Sequence, residues 1–286
     1  MFVIKFTQAS VIAAAIFLLP ACSGGGTASP ILPTTMNASA GGLDSVTGSR
    51  RRQPSPKPSS VPSPIASATP LPGSSASPLE AWQSFTPLTP WQDSSTHGTW
   101  YDQFGSYGTV EVTAAASGGD VLSLSPEVST SASQTESALV TSVPTFANMD
   151  ETVVATTVAQ LRQGSPPNPW EVAWVIWHYT DDNHFYSINL KPNGWELGKE
   201  DPAYPGAQRF LATGTTPVFP IGVPYTVRIV QVQGQMVVYV NGVALTSFTD
   251  TQTPYLSGSL GFYCEDSHVT FGNVLIHAAA SVTETS

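Results

Sequence analysis

WEVAWVIWHYTDDNHFYSIN, residues 170–189, decides how the rest of the chain is read. Two runs of aromatic and β-branched side chains flank the polar tetrapeptide Thr180-Asp181-Asp182-Asn183. Such side chains pack well on a pleated surface, and Asp and Asn favour turns by hydrogen bonding their own backbone. The segment therefore reads as a strand, a turn and a returning strand. Regular alternation puts Trp170, Val172, Trp174, Ile176 and His178 on one face and Ala173, Val175, Trp177 and Tyr179 on the other. Indoles of both parities are more aromatic surface than a thin sheet needs to hide, so the second set requires somewhere to go.

Working outward, the neighbouring segments have the same extended character. Residues 100–114, 121–124, 137–143 and 152–161 precede the aromatic pair. In the last of these Val153, Ala155, Thr157 and Ala159 share one face, and Val154, Thr156 and Val158 the other. After the pair, Lys191-Pro192-Asn193-Gly194 leads into residues 195–198, and residues 225–232 and 235–240 turn around Gly234. Asn241-Gly242, a strong hairpin signal, leads into residues 243–248; residues 260–264 and 269–276 close the series around Glu265-Asp266-Ser267-His268. No window carries a helical period with caps. Roughly a dozen strands joined by tight turns predict an all-β, antiparallel two-sheet sandwich.

The N-terminal third has a different composition. One Lys, an uncharged apolar run over residues 9–19 and then Leu19-Pro20-Ala21-Cys22 form an export signal too short to span a membrane. The last four residues resemble a bacterial lipobox, which implies lipidation of Cys22 and a membrane anchor; Ser23 is similar to the residue that lets a lipoprotein proceed to the outer membrane or cell surface. An ordinary cleaved signal ending at Ala21 is the alternative. Residues 23–80 are rich in Ser, Pro and Ala and hold little to bury, so they read as a disordered linker. Within it Arg50-Arg51-Arg52 and Lys57 read as a solvated basic spot. The sandwich is expected over residues 81–277, followed by a flexible tail over 278–286. With Cys22 lipidated, Cys264 has no partner; it reads as a small buried thiol, since Glu265 and Asp266 beside it would disfavour a thiolate.

Charge narrows the partners. After residue 80 the chain carries five basic residues, Arg162, Lys191, Lys199, Arg209 and Arg228, against eighteen acidic ones, a net of −13. That balance excludes nucleic acid, which needs a basic footprint, and repels acidic polysaccharide. Neutral glycan suits it better, and the domain is read as a monomer.

The order HYTDDNHFYSINL, NGWELGK, YTVRIVQVQGQMVVYVNGVALTSFTD and GSLGFYCEDSHVTFGNVLI resembles the concanavalin A-like jelly-roll superfamily. Within it the chain is most similar to laminin-G-like bacterial domains and the 3-keto-disaccharide hydrolase family. The resemblance covers residues 153–276 and implies a jelly-roll sandwich of a kind shared by lectins, hydrolases, lyases and spacers. His178 stands where such domains often place Arg.

Candidate chemistry follows from the residues. Glycoside hydrolysis needs two carboxylates straddling a bond, and the Glu-x-Asp-x-x-Glu strand of the superfamily's glucanases is missing from this chain. Glu171, His178, Tyr186 and Glu200 are the candidates for catalysis, without a complete motif, and Glu196 and Asp201 are further carboxylates nearby. A lyase would want a Tyr or His base with a neutralising partner, which His178, Tyr186, Asn189, Lys199 and Arg209 could supply. Binding would use Trp174 or Trp177, Trp195, Tyr179 and Tyr186 as sugar platforms, with His178 and Asn189 on hydroxyls and Lys199, Glu200 and Arg209 rimming the groove from a loop over residues 200–209. The five His residues show no zinc spacing. Asp181, Asp182 and Asn183 make an oxygen-rich turn that calcium could use but does not require, so no cofactor and no metal site are expected. Carbohydrate binding is thus the leading expectation, with a polysaccharide-active enzyme or a structural envelope module as alternatives.

Overall fold

The computed structural model describes residues 89–115 and 118–279. The export signal, Cys22, the 23–80 linker, residues 81–88 and residues 280–286 lie outside the described residues. Among the described residues the strands are β1 (Ser95–His97), β2 (Trp100–Phe104), β3 (Thr109–Ala114), β4 (Asp120–Ser125), β5 (Ser137–Phe146), β6 (Met149–Gln160), β7 (Trp174–Asp181) and β8 (His184–Lys191). They continue with β9 (Gly194–Glu200), β10 (Gln208–Gly214), β11 (Tyr225–Val232), β12 (Gln235–Val240), β13 (Val243–Thr249), β14 (Gly258–Glu265) and β15 (Ser267–Ala278).

Eight strands form one sheet in the order β1-β2-β5-β14-β7-β8-β9-β10, and seven form the other in the order β13-β12-β11-β6-β15-β4-β3. Every pairing is antiparallel. The chain crosses repeatedly from one sheet to the other, and the expected all-β two-sheet sandwich is the fold it adopts.

Alternation sets the layers. In β6, Met149, Val153 and Ala155 are buried at every second position, as the sequence pattern requires. They meet Val175, Trp177, Ile188, Leu197 and Phe262 of the eight-stranded sheet in the central core. Phe262 stacks on Phe271 of β15 with ring centres 4.5 Å apart. Burying side chains of this size contributes about 1.5–3 kcal/mol each. The turn after β12 has φ of 51° at Asn241 and 80° at Gly242, the left-handed pair that an Asn-Gly hairpin supplies.

A smaller apolar cluster lies on the other side of the eight-stranded sheet: Leu139, Val172, Trp174, Ile176, Phe185 and Tyr263. The two parities of β7 therefore go to two different layers. The regular alternation expected through His178 does not hold. His178 adopts a φ of 51°, and the pairing of β7 shifts register there with both β8 and β14. One residue is absorbed, so His178 turns inward with Trp177 while Tyr179 joins the outer face. A second departure is β10. Residues 200–209 were expected to form a loop rimming a groove, but Arg209 lies in an edge strand paired with Lys199.

Candidate functional site

The inner face of β7, β8 and β9 uses its polar groups to close the sandwich. Trp177 Nε1 donates to Gln231 Oε1 at 2.6 Å. Tyr186 donates its hydroxyl to Asp250 Oδ2 at 2.7 Å and accepts the Tyr255 N–H at 3.0 Å. Lys199, fully buried, donates to Asp250 Oδ2 at 2.8 Å and to the main-chain oxygens of Gln252 and Thr253 at 2.9 and 2.8 Å. Burial alone would raise the Asp250 pKa, but Lys199, the Tyr186 hydroxyl and the Gln252 N–H outweigh it and hold it low. Arg209 Nη1 lies 3.5 Å from Asp250 Oδ1, and its guanidinium covers the Tyr204 ring. Trp195 Nε1 donates to Thr216 oxygen at 3.1 Å. Trp177, Tyr186, Trp195, Lys199 and Arg209, all expected to face a ligand, are thus engaged within the protein, and Tyr186, Lys199 and Arg209 tie residues 250–255 to the sheet.

Glu171 belongs to a third place. Arg162 Nε donates to Glu171 Oε1 at 2.6 Å, and the same guanidinium binds Asp266 at the β14–β15 turn. Ser129 and the Glu136 N–H also bond the Asp266 carboxylate. This cluster clamps the tip of the last hairpin. It does not bring Glu171 together with His178, Tyr186 or Glu200, so the four catalytic candidates form no single site.

The outer face of the eight-stranded sheet is organised differently. Trp174 pairs with Asn189, and Asn189 with Glu196; Ile176 pairs with Ser187, and Phe185 with Glu200. Directly opposed residues share a face, so Ser187, Asn189 and Glu200 stand beside Trp174 and Phe185. Gly198 and Gly261, opposite Ser187 and Ile176, add no side chain to this surface. Trp174 meets Tyr263 edge-on at 5.3 Å. Asn189 is only 2% exposed, and its Oδ1 has no hydrogen-bond partner. Burial pushes Glu200 up to about 8, with Glu265 adding repulsion. Glu265, next to Tyr263, is raised to about 7 by burial and by Asp266 and Glu171, against the pull of the Tyr263 hydroxyl.

Beyond Tyr179 this face opens into a trough of about 520 Å³. Tyr101 and Tyr179 stand in it with Gln103, Thr141, Thr145 and Ser259, and no charged side chain lines it. Gln103 Nε2 donates to Thr141 Oγ1 at 3.0 Å, and the Tyr179 hydroxyl to Asp182 Oδ1 at 2.7 Å. Tyr101, Gln103, Thr141 and Thr145 were not singled out in the sequence. Their signal was faint: a Tyr-x-Gln alternation in β2 and spaced threonines in β5. The turn considered for calcium is internally engaged, with Asp181 accepting from the Asn183 N–H and contacting the His184 ring.

No family model matches the chain, and no curated protein matches it. Among solved structures it is similar to the carbohydrate binding module CBM66 from Bacillus subtilis, at 13% identity and a TM-score of 0.46, over 63% of this chain and 95% of that one. It is also similar to the β-glucanase of Bacillus licheniformis, at 15% identity and a TM-score of 0.41, covering 65% of this chain and 94% of that one. Domain 4 of AbnA, a GH43 extracellular arabinanase from Geobacillus stearothermophilus in complex with arabinotriose, matches at 14% identity and a TM-score of 0.38, over 61% of this chain and 78% of that one. At these levels of likeness the function has to be reasoned from the chain itself.

Proposed function

We propose that the protein is exported, anchored through a lipidated Cys22, and binds neutral carbohydrate across the outer face of its eight-stranded sheet. The observation that carries this reading is the uncharged trough between Tyr101 and Tyr179. Sugar rings offer C–H patches to phenol faces and hydroxyls to Thr, Ser and Gln, while a surface without charge gives an ionic ligand nothing to pair with. The net charge of −13 after residue 80 favours a neutral glycan in the same direction. The domain acts as a monomer at the outer membrane or cell surface. Isothermal titration of the exported domain against neutral oligosaccharides tests the binding. Tyr101→Ala and Tyr179→Ala are expected to weaken it about tenfold each, as truncation of an aromatic contact does. Unchanged affinity in both would refute the trough as the site. Palmitate labelling that disappears in Cys22→Ser tests the anchor.

One observation favours a second reading, glycoside hydrolysis. Glu200 and Glu265 both keep their protons into the neutral range, and each carboxyl is on the outer face. Two interacting acids can leave one carboxyl protonated beside one carboxylate, the division of labour that hydrolysis uses. Release of reducing ends from a bound glycan, abolished in Glu200→Gln, would support it.

A further inference from the structure

Three segments that carry trough residues meet at one imidazole. His178 Nδ1 lies 2.8 Å from the main-chain oxygen of Tyr255, and Nε2 lies 2.9 Å from that of Ala147. Ser257 follows Tyr255 by two residues, Thr145 precedes Ala147 by two, and Tyr179 is the next residue after His178; all three line the trough. The Tyr255 oxygen is also bonded by Gln231 Nε2 at 3.0 Å, so it is fixed from two sides. The imidazole is 1% exposed, which removes water as a competing partner. Burial draws the ring below its ordinary pKa, while the two oxygens pull the other way. A neutral imidazole has a single N–H and serves one oxygen at a time; only the protonated ring donates to both.

The backbone at this residue is equally specific. A φ of 51° is a region that a residue with a Cβ occupies only when its surroundings hold it there. Gly258 packs directly on the His178 main chain, where any added Cβ would collide with it. This local twist is what delivers Tyr179 to the outer face.

We infer that His178 is the positioning residue of the trough. Through its contacts with the Tyr255 and Ala147 oxygens it sets the spacing between the Thr145 wall, the Ser257 wall and the Tyr179 ring, and with it which neutral oligosaccharide the trough accepts. This rests on the trough being the glycan site. His178 touches no ligand in this scheme; it acts through the groups that do.

The test uses the exported domain and four probes, cellotetraose, laminaritetraose, xylotetraose and arabinotriose, titrated against wild type and variants. His178→Ala is expected to lose about tenfold in affinity for the preferred probe and to flatten the preference among the four. The amide nitrogen of His178→Asn falls near Nδ1 and restores the Tyr255 contact; that of His178→Gln falls near Nε2 and restores the Ala147 contact. Whichever variant restores the contact that the single N–H of the neutral ring makes should recover about threefold. Val230→Ala, a core truncation in β11, controls for lost stability and should leave affinity and preference unchanged. Should the alanine variant fail to fold, the ring nitrogen resonances of wild-type His178 decide, and they are expected to shift as probe saturates the protein. Wild-type affinity and preference in His178→Ala, an equal loss in the Val230→Ala control, or ring resonances that do not move at saturation would each overturn the inference. A probe that binds indifferently to Tyr101→Ala and Tyr179→Ala would instead overturn the trough reading on which it stands.

Discussion

The two faces of the eight-stranded sheet carry similar stocks of aromatic and polar side chains and put them to opposite uses. On the inner face, Tyr186, Lys199 and Trp177 each find partners within the protein, the first two in the loop after β13 and the third in β11. On the outer face, Asn189 Oδ1 has no partner, burial raises the pKa values of Glu200 and Glu265, and Tyr101 and Tyr179 stand in an open trough. A polar group saturated by its own protein stabilises a fold. The side chains of the trough, by contrast, reach an open surface where a ligand can meet them. Aromatic residues flanked by polar ones identify a ligand face only where they reach an open surface.

The contrast can be broken most severely at Lys199. Replacing it with Met leaves Asp250 and the Tyr186 hydroxyl in a buried site without their nearest cation, Arg209 standing farther off at 3.5 Å. Denaturant unfolding should register a loss of about 3–5 kcal/mol. A change under 1 kcal/mol would mean that the inner network is not a structural tie.

The inner layers also hold exceptions, Asp102 and Glu151, whose buried carboxyls have no hydrogen-bond partner; burial raises Glu151 to about 8. Its folded-state pKa exceeds the unfolded value of 4.5, so the folded protein binds the extra proton. The contribution is fully present below pH 4.5 and declines as pH rises toward about 8. Glu151→Met should therefore stabilise the protein by roughly 1–3 kcal/mol at pH 8 relative to wild type, the gain shrinking at pH 4.5. Thermal melts across that range check the sign, and a gain that grows on acidification would contradict it.

The smallest effect sharpens the outer face. Asn189→Leu removes an acceptor that has no partner, and stability should stay within about 1 kcal/mol of wild type. A loss well beyond that would show that the Asn189 amide is in fact a structural tie, and the distinction between the faces would weaken.

The layers were legible from residues 170–189 and the alternation in β6 because burial at every second position is a local pattern with one solution. The Asn241-Gly242 turn was legible for the same reason. What was not legible is the side to which each aromatic goes after residue 177. One residue in a left-handed conformation reverses the parity, and His178 gives no local sign of doing so, since Gly or Asn would be the usual choice there. The partnership of Lys199 with Asp250 joins residues fifty-one positions apart, a separation that no spacing rule reaches. Arg209 was misplaced because a Pro-rich approach hid a short edge strand. Of the candidate ligand residues, Trp174 and Asn189 do lie on the outer face, whereas the trough residues of β2 and β5 come from segments whose only visible property was extended character.

The last hairpin has a consequence for how the molecule is made. β14 lies between β5 and β7, and β15 lies between β6 and β4, so the final two strands occupy interior places in both sheets. Until residue 278 has left the synthetic machinery, each layer is two separate ribbons with bare edges facing a gap. The architecture therefore cannot lock before the end of the domain is available.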